Sequence, residues 1–153
     1  MSLRDQLSAD LKSAMREKQQ LRVSTLRLIA AAIKDRDIAA RAEDRCTGCE
    51  EEEILSILQK LVKQREESAD TYEKAGRFDL ADREREEADI VRAYLPRQME
   101  PGEIAEAARG VVDELNATGL KDMGKCMGAL KERYSGRMDF SHAGKAVKTL
   151  LQG

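Results

Sequence analysis

Leu3, Leu7, Leu11 and Met15 recur every fourth residue among polar positions, which predicts an amphipathic first helix over about 2–18, with Ser2 and Asp5 spaced as a capping box. Lys18-Gln19-Gln20 interrupts the apolar face, and Leu26, Ile29, Ala30 and Ile33 then mark a second helix reaching about Arg41. The pattern stops between Asp44 and Cys49. Thr47 with Glu50 offers another capping box, and Glu50 to Glu53 place four carboxylates where a helix dipole favours negative charge. That acidic run therefore reads as structural. Ile54, Leu58, Leu61, Arg65, Ser68 and Tyr72 carry a third helix to about Lys74, and Gly76 is a natural stop.

A fourth helix bears Leu80, Ile90, Val91 and Tyr94. Because Ala75-Gly76-Arg77 is short, helices three and four are expected to fold back on each other, bringing Arg65 to Glu84 or Glu87 as an ion pair. Tyr94-Leu95-Pro96-Arg97-Gln98 ends this hairpin, since proline disfavours helical geometry in the residue before it. Beyond it, Pro101 suits a first turn and Ile104, Ala108, Val111 and Leu115 mark a fifth helix. Ala117-Thr118-Gly119 separates it from a sixth helix with Met123, Met127 and Leu130 on one face and Lys121 with Lys125 on another. Gly124 and Gly128 are also four apart, and close helix packing is the plainer reason for two costly glycines there. Ser135-Gly136 turns the chain, and Asp139 is placed to cap a last helix bearing Phe140, Val147, Leu150 and Leu151. No segment alternates as a strand. The expected class is all-α, with N-terminal helical hairpins over 1–95 and a small three-helix domain over 96–153.

Composition narrows the picture. At 153 residues with 37% charged and 3% aromatic side chains, the chain reads as exposed helical surface around modest cores. No apolar run approaches the roughly 20 residues of a bilayer span, and the N-terminus lacks a signal peptide's apolar centre. A cytoplasmic location without a membrane partner is the resulting expectation. Net charge is −2, unevenly spread. Residues 45–95 hold 9 Lys/Arg against 14 Asp/Glu, whereas residues 121–153 hold 7 against 3. The tail is thus the anion-binding candidate.

Candidate chemistry is sparse. His142, the single histidine, has no nucleophile elbow to serve, and at the start of a short helix it reads as a surface or capping-region residue. No catalytic residues are assigned. Cys46-Thr47-Gly48-Cys49 has C-x-x-C spacing but supplies half a zinc site, and the βαβ context of a redox motif is missing. Neither a metal site nor a cofactor is expected. Tyr72, Tyr94 and Tyr134 do not alternate with basic residues as base-stacking arrays do, so they read as core-edge tyrosines. An RNA reader using shape and phosphate contacts could instead employ Lys121, Lys125, Lys131, Arg133, Arg137, Lys145 and Lys148.

The segments Arg22-x-Ser24-Thr25-Leu26-Arg27, Lys63-Gln64-Arg65, Ala75-Gly76-Arg77-x-Asp79-Leu80-Ala81, Tyr94-Leu95-Pro96-x-Gln98 and Lys121-Asp122-Met123-Gly124-Lys125 together resemble the stand-alone YqeY family over nearly the whole chain. Cys46 and Cys49 lie outside that pattern. The resemblance implies a C-terminal domain similar to the tail of the B subunit of the tRNA-dependent amidotransferase, a tail that helps bind tRNA. It also implies an association with carbon–nitrogen ligase activity using glutamine as amido donor, although the catalytic part of that enzyme is absent here. Expected partners are tRNA and the aminoacyl-tRNA or amidotransferase machinery, and no DNA. Three functions stay open: a non-catalytic tRNA-binding or amidotransferase-associated accessory protein, a protein-interaction adaptor using the N-terminal helices, and an auxiliary component of the amide-forming reaction.

Overall fold

The structure is a computed structural model that describes residues 2–43 and 51–152. Seven α-helices and one 3₁₀ turn occur among the described residues, with no strand, so the protein is all-α. The chain divides into two compact units, Met1–Leu95 and Pro96–Gly153, each with its own apolar core.

The first unit holds α1 (Leu3–Arg16), α2 (Gln20–Ala42), α3 (Glu51–Lys74) and α4 (Phe78–Arg92). Ser2 caps α1, its hydroxyl accepting from the Asp5 backbone N–H at 3.1 Å. Leu3, Leu7 and Leu11 face the core, but Met15 is 49% exposed and Ala14 is buried in its place. The reason is angular: at 3.6 residues per turn a strict four-residue repeat drifts about 40° each step, so its fourth member has rotated off the core. Lys18 takes φ +57° at the turn into α2, which buries Thr25, Leu26, Ile29 and Ile33 but leaves Ala30 exposed. The Thr25 hydroxyl donates to the Leu21 carbonyl at 2.8 Å, which makes its burial affordable.

The helices α3 and α4 form the hairpin that the short turn predicts, with Gly76 at φ +75°. Small buried residues, Ala69 on α3 and Ala81 and Ala88 on α4, let the two backbones come close. Arg65 reaches Glu87, Nε to Oε2 3.5 Å, with side chains only 18% and 16% exposed. Arg85 pairs with Glu73, and Arg92 with Glu66, on the hairpin's wet side.

The second unit holds α5 (Pro101–Glu114), the 3₁₀ turn Leu120–Asp122, α6 (Met123–Tyr134) and α7 (Phe140–Gln152). Ile104, Ala108 and Val111 from α5 meet Cys126 and Leu130 from α6 and Ala143, Val147 and Leu151 from α7, and Met138 of the α6–α7 connection is buried with them. The start of α5 is held by the Glu103 carboxylate, which accepts the Glu100 backbone N–H at 3.1 Å. Asp139 caps α7 as expected, accepting from the Ser141 backbone N–H at 2.9 Å.

Candidate nucleic-acid interface

Three apolar residues on one side of α6, Cys126 and Leu130 with Met127 beside them, turn the opposite side outward. Gly124, Lys125, Gly128 and Lys131 occupy that outer side, with Lys121 in the turn just before it. The expected close packing at the two glycines is not found: a side-chain carbon at either position would meet nothing within 4 Å. They lie across the helix from its buried face. Helix contact falls instead at Gly144 on α7, where the terminal carbons of Met123 and Met127 lie 3.9 Å from such an added carbon.

The seven basic candidates are not equivalent. Lys121, Lys125 and Lys131 are exposed on the α6 side, and Lys145 and Lys148 are exposed on α7. Among the described residues no salt bridge holds any of these five. Arg133 is already engaged, donating two hydrogen bonds to Glu114 at 2.7 and 2.8 Å, and its guanidinium holds the Glu114 carboxyl below the usual range. Arg137 lies over the Tyr134 ring, 5.9 Å from its centre, half-buried. Sequence spacing treated these two arginines as free cations because their partners, Glu114 on α5 and the Tyr134 ring, are met only after folding.

Acidic groups bound the patch. Asp122 sits between Lys121 and Lys125 and accepts the Thr118 backbone N–H at 3.0 Å, the main cause of its lowered pKa, with both lysines adding to it. Residues 96–120 carry 2 Lys/Arg against 5 Asp/Glu, so the basic character of this unit belongs to α6 and α7 and not to α5. Arg97 donates to both oxygens of Glu103 at 3.0 and 2.7 Å, and that pairing, with the Glu100 amide, holds Glu103 down at about 2.

Other sequence candidates are placed as follows. His142 is exposed, and its backbone N–H donates to Asp139 at 3.3 Å. Cys126 is buried and its thiol pKa is raised, by burial first and then by Asp122. Cys46 and Cys49, with the Thr47–Glu50 cap, lie outside the described residues, and among the described residues no cluster of metal-ligating side chains occurs. Sequence reasoning missed one polar assembly altogether: the Tyr94 hydroxyl donates to Asp10 at 2.6 Å and accepts from Arg22 at 3.1 Å, tying the end of α4 to α1 and α2. The signal that could have found it is the Tyr-Leu-Pro sequence itself, a tyrosine fixed at a helix end.

A model of the family described as Yqey-like protein matches residues 4–151. The chain belongs to the YqeY family. Curated relatives are named "Altered inheritance of mitochondria protein 41, mitochondrial". That of Lachancea thermotolerans is 36% identical over 89 residues, covering 58% of this chain and 46% of the relative. That of Clavispora lusitaniae is 35% identical over 94 residues, covering 61% and 52%. That of Pyrenophora tritici-repentis is 27% identical across 95% of this chain and 78% of its own length. The chain spans about half the length of the first two. These names overturn the expectation of a cytoplasmic location: the relatives that carry them are mitochondrial by name. That expectation rested on the polar first residues and on the want of an apolar run long enough to span a bilayer, and neither separates one aqueous compartment from another.

Several quoted family segments have structural work. Arg22 and Tyr94 share the buried hydroxyl, Arg65 meets Glu87, Gly76 makes the left-handed turn, and the Gln98 amide donates to the Gly136 and Pro96 carbonyls at 2.7 and 2.9 Å. Lys121, Gly124 and Lys125 have none of this kind.

Proposed function

We propose that this YqeY-family chain is a tRNA-binding or tRNA-dependent amidotransferase-associated accessory protein, without a complete active site of its own, whose amidotransferase-tail-like unit 96–153 carries the RNA surface. The observation behind this reading is the outer side of α6: exposed Lys121, Lys125 and Lys131, held in no salt bridge among the described residues, beside two glycines with open space above them. Lysines outside any salt bridge exchange their counter-ions for phosphates without breaking one, although Asp122 offsets part of the charge of Lys121 and Lys125, and a glycine face lets a backbone phosphate approach the helix itself. Lys145 and Lys148 add exposed positive charge on α7, while Arg133 and Arg137 are engaged within the fold. With no aromatic base-reading array, recognition of structured RNA rests on shape and phosphate contacts.

The test is a salt titration of tRNA binding by the purified chain and by the Lys121→Ala/Lys125→Ala/Lys131→Ala variant, with circular dichroism to check the fold. Binding should weaken as salt rises, and the variant's log–log slope should be shallower by about 2–3. Unchanged affinity in the folded variant rejects this surface. No binding by the wild type at low salt moves the function to a protein adaptor, and glutamine-dependent amidation by the chain alone replaces the accessory role with a catalytic one.

A further inference from the structure

The outward side of α2 is not an ordinary solvated face. Ser24, Ala31 and Ile38 follow one another at seven-residue spacing along its centre, with Leu28 and Ala42 beside them, all exposed; Leu28 is 40% and Ile38 55% exposed. Arg27, Lys34 and Arg41 repeat at the same spacing along one flank, also exposed, and among the described residues none of them forms a salt bridge. Two arginines nearby are answered by carboxylates: Arg4 by Asp37 at 2.8 Å and Arg36, on α2 itself, by Glu53 at 3.2 Å. At the N-terminal end of the stripe an open groove of about 390 Å³ continues the surface onto α1, lined by Met15, Lys18, Gln20, Val23, Ser24 and Arg27.

We infer that this face docks an acidic amphipathic helix of another protein. A seven-residue repeat stays in register with a second helix that coils around it in a left-handed sense, and residues beside the apolar seam select the partner by charge. Small Ser24 and Ala31 admit the partner's backbone, Leu28 and Ile38 supply apolar contact at either side of them, and the groove receives a side chain near Met15. The row Arg27, Lys34 and Arg41 faces the partner's carboxylates along a seam of about 27 Å from Ser24 to Ala42. Asp35, on the Leu28 flank, is the one carboxylate in the stripe and meets a neutral or basic position. A bilayer fits less well, because an inserting face needs bulky apolar side chains where α2 has Ser24, Ala31 and Asp35. Nucleic acid would leave Leu28 and Ile38 without a role. The surface lies in the first unit and the reading is independent of RNA binding by the second.

The test uses the full chain and two fluorescein-labelled synthetic helical peptides with the same apolar seam, one flanked by glutamates and one by lysines, read by fluorescence anisotropy. The glutamate peptide should bind saturably and at least about tenfold more tightly than the lysine peptide, with affinity falling as salt rises. Arg27→Glu/Lys34→Glu/Arg41→Glu should invert that preference while circular dichroism stays unchanged. Leu28→Gln/Ile38→Gln, which alters only exposed side chains, should abolish binding of both. The inference is overturned by binding of neither peptide, by an unchanged preference in the charge-reversed chain, by capture on anionic vesicles without peptide binding, or by self-association that occupies the α2 face. If the triple variant fails to fold, the Leu28/Ile38 variant and the wild-type preference between peptides decide the matter alone.

Discussion

Replacing Tyr94 with phenylalanine keeps the buried ring and removes one oxygen, so it isolates the hydroxyl that joins α4 to α1 and α2. That oxygen makes two hydrogen bonds with charged groups, to Asp10 at 2.6 Å and from Arg22 at 3.1 Å. Each such bond contributes about 1.5–3 kcal/mol. Asp10 and Arg22 remain 34% and 36% exposed, so water takes over part of both bonds once the hydroxyl is gone, and Arg22 stays 3.8 Å from Asp10. The expected loss is about 2 kcal/mol, which in a unit of this size lowers the melting temperature by roughly 10 °C. The pH dependence supplies a sharper check. Burial, followed by the Asp10 carboxylate, pushes the Tyr94 phenol up to about 12 from its ordinary 10. A phenol raised in the folded state contributes stability that is fully present below pH 10 and lost as pH rises through about 12. Urea titrations of wild type and Tyr94→Phe, followed by circular dichroism, should therefore differ at neutral pH and converge in strong alkali. A difference that stays constant across that range, or one below about 0.5 kcal/mol at neutral pH, refutes the arrangement.

Glu87→Ala should cost about 2–3 kcal/mol in the same titration, because it leaves the largely buried Arg65 guanidinium without its partner, whereas Arg65→Met/Glu87→Leu should cost less than the single change. A loss within the range of a surface pair, below about 1 kcal/mol, would show Arg65 to be solvated. Glu103 should titrate at about 2 in an NMR pH series, so the Arg97 pairing stabilises the start of α5 above ordinary carboxylate pH and is lost as pH falls through that value. A midpoint near 4.5 would remove the pairing from solution. Gly124→Ala and Gly128→Ala should each raise stability by about 0.5–1 kcal/mol, since both sit in a helix with open space above them, and each should weaken tRNA binding if phosphate approaches that face. Destabilisation would mean that something covers the glycines.

Apolar periodicity determined the helices, because burying one side of each is the local condition for a marginal helix to form, and it determined the hairpin because three residues between α3 and α4 allow no other return. Arg65 was placed correctly on that basis: its position on the stripe and the short turn together leave Glu84 and Glu87 within reach. Tertiary structure decided what spacing cannot. Met15 belongs to the leucine repeat and still faces water, because the angular drift of the repeat is resolved only by where the neighbouring helices stand. Gly124 and Gly128 have the spacing of a packing seam, yet α7 meets α6 around Met123 and Met127 instead. Arg133 and Arg137 count equally with Lys121 and Lys125 in a charge sum, but Glu114 and the Tyr134 ring engage them once α5 and the α6–α7 turn are in place. Asp10, Arg22 and Tyr94 are separated by up to 84 residues, and no local rule links them until folding excludes water from one hydroxyl. A sequence lists which charges and apolar surfaces a chain carries; which of them remain available to a ligand depends on partners that only the folded chain brings within reach.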